Sequence, residues 1–233
     1  MKLRAAVFIF VLAVGALAAL PVPPSEVTRT EAIATAESYL NFKWTPTPAN
    51  ILHGQAPGGI RVDTPDAAFK PKGTFAGWWE AGIINKGMPY KWGGFDTPET
   101  FLAGLSEGKA AGDICTSEKR RLLDAAVSKH AVGIDCSGFV SRCWNLPRAC
   151  STRTITALCD PMGDLRELKP GDILNARNSH IFLFARWTAK DRSRMLVYST
   201  GSPPFWGVQI GPLRTAQMKP LGYTAWRYRG MRD

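Results

Sequence analysis

The 233-residue chain has only three histidines, no C-x-x-C pair among its five cysteines, and only one long apolar run. The few histidines and the wide cysteine spacing argue against a zinc site, and we expect neither a metal nor another cofactor. The single apolar run excludes a polytopic membrane protein, and the scattered glycines and prolines exclude a collagen-like chain or a coiled coil. With 45% hydrophobic and 21% charged residues, the composition is that of a folded globular protein.

The one apolar run lies at the N-terminus and has the pattern of a secretory signal peptide. Lys2 and Arg4 precede an uncharged stretch from Ala5 to Leu20, and the segment Ala16–Ala18 has the small residues of a cleavage site. Cleavage near Ala18 removes two basic residues and lowers the net charge from +10 to +8. The alternative is an uncleaved membrane anchor, although the run is shorter than the roughly 20 residues that span a bilayer. We therefore expect a periplasmic or secreted protein, without stable membrane insertion after signal removal.

The rest of the chain has the pattern of one α+β domain, with helices first and mainly strands afterwards. Thr28 and Glu31 form a capping box ahead of the first predicted helix. Helices are predicted at 32–42, 74–86, 117–129 (with Ser117 as its N-cap) and 136–145. Strands are predicted at 181–187, 195–198, 207–210 and 223–229. Loop with short elements is expected at 49–76.

The segment Gly133–Val140 (GIDCSGFV) is the sharpest local feature of the sequence. A loop containing Gly and Asp leads into an apolar-periodic helix, which places Cys136 in the first helical turn. Unpaired N–H groups and the helix dipole stabilise an anion there, so we expect the pKa of the Cys136 thiol to be lowered and the nucleophilic thiolate to be favoured. The alternative is a buried structural cysteine or one half of a disulfide.

A cysteine nucleophile needs a base within hydrogen-bonding reach, and three histidines are available. His53 lies in a loop rich in Gly and Pro, and His130 ends a charged helix, where the helix dipole accounts for it. His180 begins the apolar strand Ile181–Phe184, behind the turn Leu168–Leu174 (LKPGDIL), and a rigid strand can orient its ring. We therefore predict that His180 is the catalytic base rather than a structural histidine.

Four motifs in a fixed order resemble the NlpC-type cell-wall cysteine peptidases, a papain-like family of bacterial envelopes. The motifs are Gly87–Gly94 (GMPYKWGG), Gly133–Val140, Leu168–Leu174 and Ser179–Ile181, within a similarity that covers about residues 85–230. The resemblance implies a papain-like α+β fold, with N-terminal helices packed on a central antiparallel sheet and the nucleophile at a helix N-terminus. It places a catalytic domain at 85–233, after the signal at 1–18 and an N-terminal extension at 19–84 that packs on the domain.

The resemblance also implies a role for each residue of the site. Cys136 is the nucleophile, and His180 is the general base that later protonates the leaving amine. Tyr90, Asp135 and Ser137 contact the substrate, with the Tyr90 hydroxyl beside the nucleophile. The alternatives are a helix N-cap for Asp135 and a core aromatic for Tyr90.

Two features depart from the family pattern. A 38-residue insertion, residues 95–132, separates two motifs that are usually close, and we expect it to form a lid or wall over the cleft. The family also has a polar third residue that orients the imidazole, but the strand Met195–Gly201 contains no His, Glu, Asn or Gln. Ser199 is the candidate for this role and Tyr198 is the second. A hydroxyl stabilises imidazolium less than a carboxylate does, which leaves slow turnover or loss of activity open.

Four cysteines remain if Cys136 is the free nucleophile. Cys115, Cys143, Cys150 and Cys159 are enough for two disulfides, as expected in an exported protein. Three pairings are possible, among them Cys150–Cys159 with Cys115–Cys143, and the sequence does not decide among them.

The resemblance implies an exported cysteine peptidase that hydrolyses an amide bond in peptidoglycan stem peptides, between D-glutamate and the diamino acid. Peptidoglycan or a muropeptide is then its partner. The alternatives are a cell-wall binding protein that kept the fold and lost the chemistry, and an amidase or acyltransferase that acts on another acyl substrate. We expect a monomer. We expect no nucleic-acid partner, because the basic residues are dispersed and the predicted export argues against one.

Overall fold

A six-stranded antiparallel sheet lies at the centre of the structure, which is a computed structural model that describes residues 25–70, 77–202 and 205–233. The predicted signal peptide, residues 1–18, lies outside these ranges. The helices are α1 (Arg29–Leu40), α2 (Pro98–Ser106), α3 (Ser117–Leu122), α4 (Cys136–Cys143) and α5 (Thr215–Met218). The strands are β1 (Val27–Thr28), β2 (Lys43–Trp44), β3 (His53–Gln55), β4 (Arg61–Asp63), β5 (Asn85–Lys86), β6 (Ala110–Ala111), β7 (Ala131–Val132), β8 (Cys159–Pro161), β9 (Ile173–Ala176), β10 (His180–Trp187), β11 (Arg194–Ser202), β12 (Phe205–Arg214), β13 (Thr224–Tyr228) and β14 (Met231–Arg232).

The central sheet has the strand order β12-β11-β10-β9-β13-β8, and every pairing in it is antiparallel. Its middle is the predicted hairpin of β10 and β11, in which Leu183 pairs with Tyr198. The strands predicted at 181–187, 195–198, 207–210 and 223–229 are all present in it, and three of them extend further than predicted. The structure therefore combines helices with an antiparallel sheet, which is compatible with the predicted α+β class.

The two faces of the sheet carry separate apolar clusters, because side chains alternate along each strand. On one face, Ile181 and Leu183 of β10 pack with Phe139 of α4 and Tyr39 of α1. The Tyr39 and Phe139 rings meet edge to face with centroids 5.9 Å apart. Fully burying each such side chain contributes about 1.5–3 kcal/mol, so this cluster holds both helices against the sheet.

The first helix begins at the predicted capping box. The Oγ1 atom of Thr28 accepts from the backbone N–H of Glu31 at 3.2 Å, and the Glu31 carboxylate accepts from the backbone N–H of Thr28 at 2.8 Å. A buried carboxylate, Asp172, then ties this helix to the sheet, because it pairs with Arg29 at 3.1 Å and with Arg227 of β13 at 2.7 Å. Two cationic partners offset the cost of burying the Asp172 charge.

The prediction of a helix over 74–86 is wrong for the described residues 77–86, which form turns, a bridge and the short strand β5. The Asn85 side chain explains the difference. It donates to the carbonyl oxygens of Glu80 at 2.8 Å and Ile83 at 3.0 Å, and it accepts from the N–H of Glu80 at 3.0 Å. These bonds satisfy the backbone of a turn and replace those of a helix.

Helix boundaries in the insertion also differ from the prediction. The helix predicted over 117–129 ends at Leu122, because Leu123 adopts a positive φ of 53°, and a 3-10 turn over Leu123–Ala126 follows. Thr116, rather than Ser117, is the N-cap. Helix α2 was not predicted from the sequence, although Thr97 caps it and Pro98 occupies its first turn.

The helix predicted over 136–145 begins at the predicted residue and ends at Cys143, two residues early. The positive φ of Asn145, 53°, is incompatible with continuing it. Among the helices of the described residues, none is long and apolar enough to cross a membrane.

Candidate active site

One cavity of about 330 Å³ brings together five of the six predicted site residues. These five form what we call the motif side of the cavity: Tyr90, Asp135, Cys136, Ser137 and His180. The cavity is also lined by residues of the 95–132 insertion, which we call the insertion side: Cys115, Arg120, Leu123, Asp124 and Val127. The insertion thus forms a wall beside the cysteine and the histidine.

Cys136 is the first residue of α4, and its position follows from the cap of that helix. Asp135 is the N-cap, and its Oδ1 atom accepts from the N–H of Gly138 at 2.6 Å and from the Ser137 hydroxyl at 3.0 Å. The contacts of Asp135 are therefore those of a helix N-cap, the alternative role considered for this residue. Asp135 and Ser137 line the cavity while their polar groups bind one another.

Glycines bring two distant motifs together, because they let backbone pack directly on backbone. A Cβ atom at Gly138 would collide with the carbonyl oxygen of Gly94, and one at Gly94 would collide with the carbonyl of Gly133. The N–H of Asp135 donates to the Gly94 oxygen at 3.1 Å across this contact. Gly93 has a φ of +66°, a left-handed conformation that glycine adopts without steric cost. Residues 94 and 133 are therefore neighbours in space.

His180 is the first residue of β10 and pairs with Ala176 of β9. Its ring meets the Phe182 ring edge to face, with centroids 4.7 Å apart, and it is half-buried at the cavity. Burial, with a smaller contribution from the Arg120 cation, lowers the pKa of His180 to about 4. The imidazole is therefore neutral near pH 7, and it can accept a proton.

The surroundings of the Cys136 thiol do not produce the lowered pKa that its helix position predicted. Burial raises the pKa of the Cys136 thiol well above its ordinary value, and the neighbouring Asp135 carboxylate raises it further. The backbone N–H groups of Ile181 and Ser137 favour the thiolate without offsetting these two effects. The resting site therefore holds a neutral thiol near a neutral imidazole.

Tyr90 belongs both to the core and to the cavity. It is only 5% exposed, and its ring lies 5.8 Å from that of Trp206. Burial raises the pKa of the Tyr90 hydroxyl well above its usual value, followed by the influence of Cys136 and Asp135. The hydroxyl contacts the Cys115 thiol. It stays protonated and is available as a hydrogen-bond donor.

The two candidates for the orienting residue lie on β11. Ser199 is buried and pairs with Gln209 of β12, and it is not among the residues that line the cavity. Tyr198 lies on the helix-covered face of the sheet, where its hydroxyl donates to the Glu37 carboxylate of α1. The Tyr198 hydroxyl is thus occupied by its hydrogen bond to α1. The role of Ser199 in orienting the imidazole stays a prediction.

A wall formed by the insertion was predicted, but the residues of the insertion side were not. Arg120 is exposed on helix α3, and it also lines the cavity. What fixes this position is a buried ion pair between Lys119 and Asp113. Neither residue has a local sequence pattern that indicates the pair, so only the Thr116 cap of α3 was available as a signal.

The expected disulfides are absent, and all five cysteines, which are all among the described residues, are free thiols. Cys143 is completely buried in the core beside α1, and Cys115 lies at the cavity. The Cys159 thiol donates to the carbonyl oxygen of Ile155 at 3.4 Å. The pairing of Cys115 with Cys143 and of Cys150 with Cys159 does not form, because each of these thiols packs in its own surroundings.

Within the described ranges, no group of three or more His, Cys, Asp or Glu side chains is arranged to hold a metal ion. Comparison of the chain with protein-family models, with curated proteins and with solved structures found no match.

Proposed function

We propose that the protein is an exported cysteine peptidase, of the papain-like NlpC type, that hydrolyses an amide bond in peptidoglycan stem peptides. The observation that carries the proposal is the presence of Cys136, at the start of α4, and His180, at the start of β10, on one cavity. Both residues sit on regular elements, which hold a catalytic pair more rigidly than loops do.

Attack begins from the neutral pair rather than from a preformed thiolate and imidazolium, because burial disfavours both charges. A ring nitrogen of His180 takes the Cys136 proton as the sulfur bonds to the substrate carbonyl carbon. The carbonyl oxygen becomes an oxyanion. The backbone N–H of Cys136, which has no partner within the helix at this first position, is the candidate donor to it.

Collapse of the tetrahedral intermediate breaks the C–N bond and leaves an acyl group on the sulfur. The imidazolium of His180 gives its proton to the departing amine. The neutral ring then takes a proton from a water molecule that attacks the thioester. Release of the carboxylic acid returns the proton to the thiol and restores the resting state.

Digestion of purified muropeptides, with products identified by mass spectrometry, tests the proposal. We expect the wild-type protein to give fragments whose summed mass exceeds that of the substrate by one water, and Cys136→Ala to give none. Cys150→Ala is the matched control, because Cys150 is half-buried and does not line the cavity. Equal cleavage by wild type and Cys136→Ala would refute the nucleophile.

Two other functions share this geometry. A wall-binding protein without turnover is favoured by the neutral pair and by the position of Ser199 outside the cavity lining. It predicts muropeptide binding by wild type and Cys136→Ala with equal affinity and no product from either. An acyltransferase predicts products in which the acyl group is joined to an added amine instead of to water. Export itself is tested by sequencing the N-terminus of the mature protein, which we expect to begin near residue 19.

A further inference from the structure

Arg120 lines the cavity together with Cys136 and His180, and no step of the proposed reaction uses it. Its side chain is exposed, unlike those of its neighbours on the motif side. A cation at the entrance of a reaction site interacts with whatever charge the substrate brings. The position and the contacts of this guanidinium therefore affect which substrate charges the cavity favours.

The backbone at Arg120 is held in place by the residue before it. Lys119 is 4% exposed, and its ammonium forms an ion pair with Asp113, which is completely buried. The Thr116 side chain caps the same helix by accepting from the N–H of Lys119 at 3.2 Å. Because the pair and the cap fix α3, the next side chain starts from a defined place beside the cavity.

The guanidinium itself contacts the Cys115 thiol and two backbone carbonyl oxygens. Its Nη1 atom lies 3.5 Å from the carbonyl oxygen of Asn178 and 3.4 Å from that of Ser179, at the long limit for hydrogen bonds. These two residues directly precede His180. Among the described residues, no carboxylate forms an ion pair with Arg120; Asp124 lines the same cavity without pairing with it. A guanidinium has five N–H donors in a fork that matches a carboxylate, so most of its capacity is available.

A second cation, Arg153, lines the cavity from the segment that precedes the 3-10 turn Ile155–Leu158. The remaining acid of the cavity, Asp135, directs its Oδ1 atom to its own helix. The lining therefore carries two arginines and two acids, and the Asp135 carboxylate is engaged by its own helix, so Arg120 and Arg153 face one carboxylate, that of Asp124, without such engagement.

We propose that Arg120 binds a carboxylate of the substrate next to the scissile amide, and so selects acidic peptides over their amidated counterparts. This inference rests on the proposed function, since it assigns the substrate class of the same cavity. In a γ-glutamyl amide the α-carboxylate is free and lies a few bonds from the reacting carbon. Bidentate pairing replaces two long contacts to carbonyl oxygens with two charge-assisted hydrogen bonds.

The probes are a γ-D-glutamyl peptide of a diamino acid with free α-carboxylates and the same peptide with those carboxylates amidated. Calorimetry on Cys136→Ala measures binding without turnover. We expect the acid peptide to bind about 10- to 100-fold more tightly than the amide, the range of a charge-assisted hydrogen bond. Adding Arg120→Ala should weaken the acid peptide to the level of the amide and leave the amide unchanged.

Arg121→Ala is the matched control, because Arg121 adjoins Arg120, is exposed, pairs with Glu118 and does not line the cavity. It should bind both peptides as the parent does. Equal affinity of the parent for the two peptides, no binding of either, or the same loss in both arginine variants would overturn the inference. Selective binding of the acid peptide without hydrolysis by wild type would sink the peptidase function and support Arg120. Hydrolysis by wild type with equal affinity for the acid and the amide peptide would support the peptidase function and overturn the role of Arg120.

Discussion

The motif side and the insertion side of the cavity are built in different ways. On the motif side, glycine backbones pack directly against one another, and Cys136 and His180 begin regular elements. On the insertion side, a buried ion pair, Lys119–Asp113, holds a helix of six residues. The motif side thus depends on backbone packing, while the helix that carries Arg120 depends on this ion pair together with the Thr116 cap.

The largest effect is expected from Lys119→Met. This change leaves the Asp113 carboxylate buried without its partner, and breaking such a pair costs about 3–5 kcal/mol. Urea unfolding should show the loss. Lys109→Met is the control, because the Lys109–Glu107 pair is exposed and its removal should change stability by less than about 1 kcal/mol. Equal effects of the two substitutions would mean that the ion pair does not hold the insertion side.

The pH dependence of stability tests the motif side. The pKa of His180 is about 4 in the folded protein, below its ordinary value of about 6.5. Between these values the unfolded chain binds a proton that the folded protein does not, so the free energy of unfolding falls as the pH drops, by at most about 3 kcal/mol. Above that window this contribution is fully present.

Urea titrations across that window should show the fall for wild type and a flatter profile for His180→Asn. The Arg120 cation acts on the same ring and Cys136 lines the same cavity, so both residues are kept unchanged in the comparison. His130→Asn, at an exposed position outside the cavity lining, should keep the wild-type profile. If the free energy of unfolding of His180→Asn fell with pH as steeply as that of wild type, the fall would not come from His180.

Gly138→Ala tests the backbone contact between the two motifs. The new methyl group meets the carbonyl oxygen of Gly94, which is backbone and cannot rotate away. We expect a loss of about 1–3 kcal/mol, as for other overpacked sites, together with reduced turnover because α4 must shift. Gly163→Ala, where nothing lies within 4 Å of the added atom, should be neutral in both measurements.

The smallest effect is expected from Tyr198→Phe. It removes a partly buried hydrogen bond to the Glu37 carboxylate, which costs about 1.5 kcal/mol of stability, and it should leave kcat unchanged. Ser199→Ala should lower kcat if that hydroxyl orients the imidazole. A fall in kcat for Tyr198→Phe with unchanged kcat for Ser199→Ala would exchange the two assignments.

Local patterns predicted much of the fold that carries the motif side. The capping box at Thr28 and Glu31, the start of α4 at Cys136 and the β10–β11 hairpin all follow from residues close in sequence. The Cys136 prediction failed in its pKa, because burial and the Asp135 charge depend on the folded environment. Helix position alone was the wrong basis for the ionisation state.

Long-range contacts account for what the sequence did not predict. The helix expected before residue 86 is replaced by a turn that the Asn85 side chain organises, and Asp113 pairs with Lys119 only once the insertion is folded. Disulfides were expected from the number of cysteines, yet spatial placement keeps the thiols apart. Cysteine counts carry no information about such distances.

The junction where the insertion leaves the motif side has one more consequence. Phe95 and Ile134 form an antiparallel bridge, and the N–H of Asp96 donates to the Gly133 oxygen at 3.3 Å, so the two ends of the insertion meet at one point. Chain added between ends that already touch costs little extra closure entropy. We therefore expect that exposed chain can be added to this segment at little cost, while Cys136 and His180 keep their places, as long as the core residues of the segment, such as Phe101, stay.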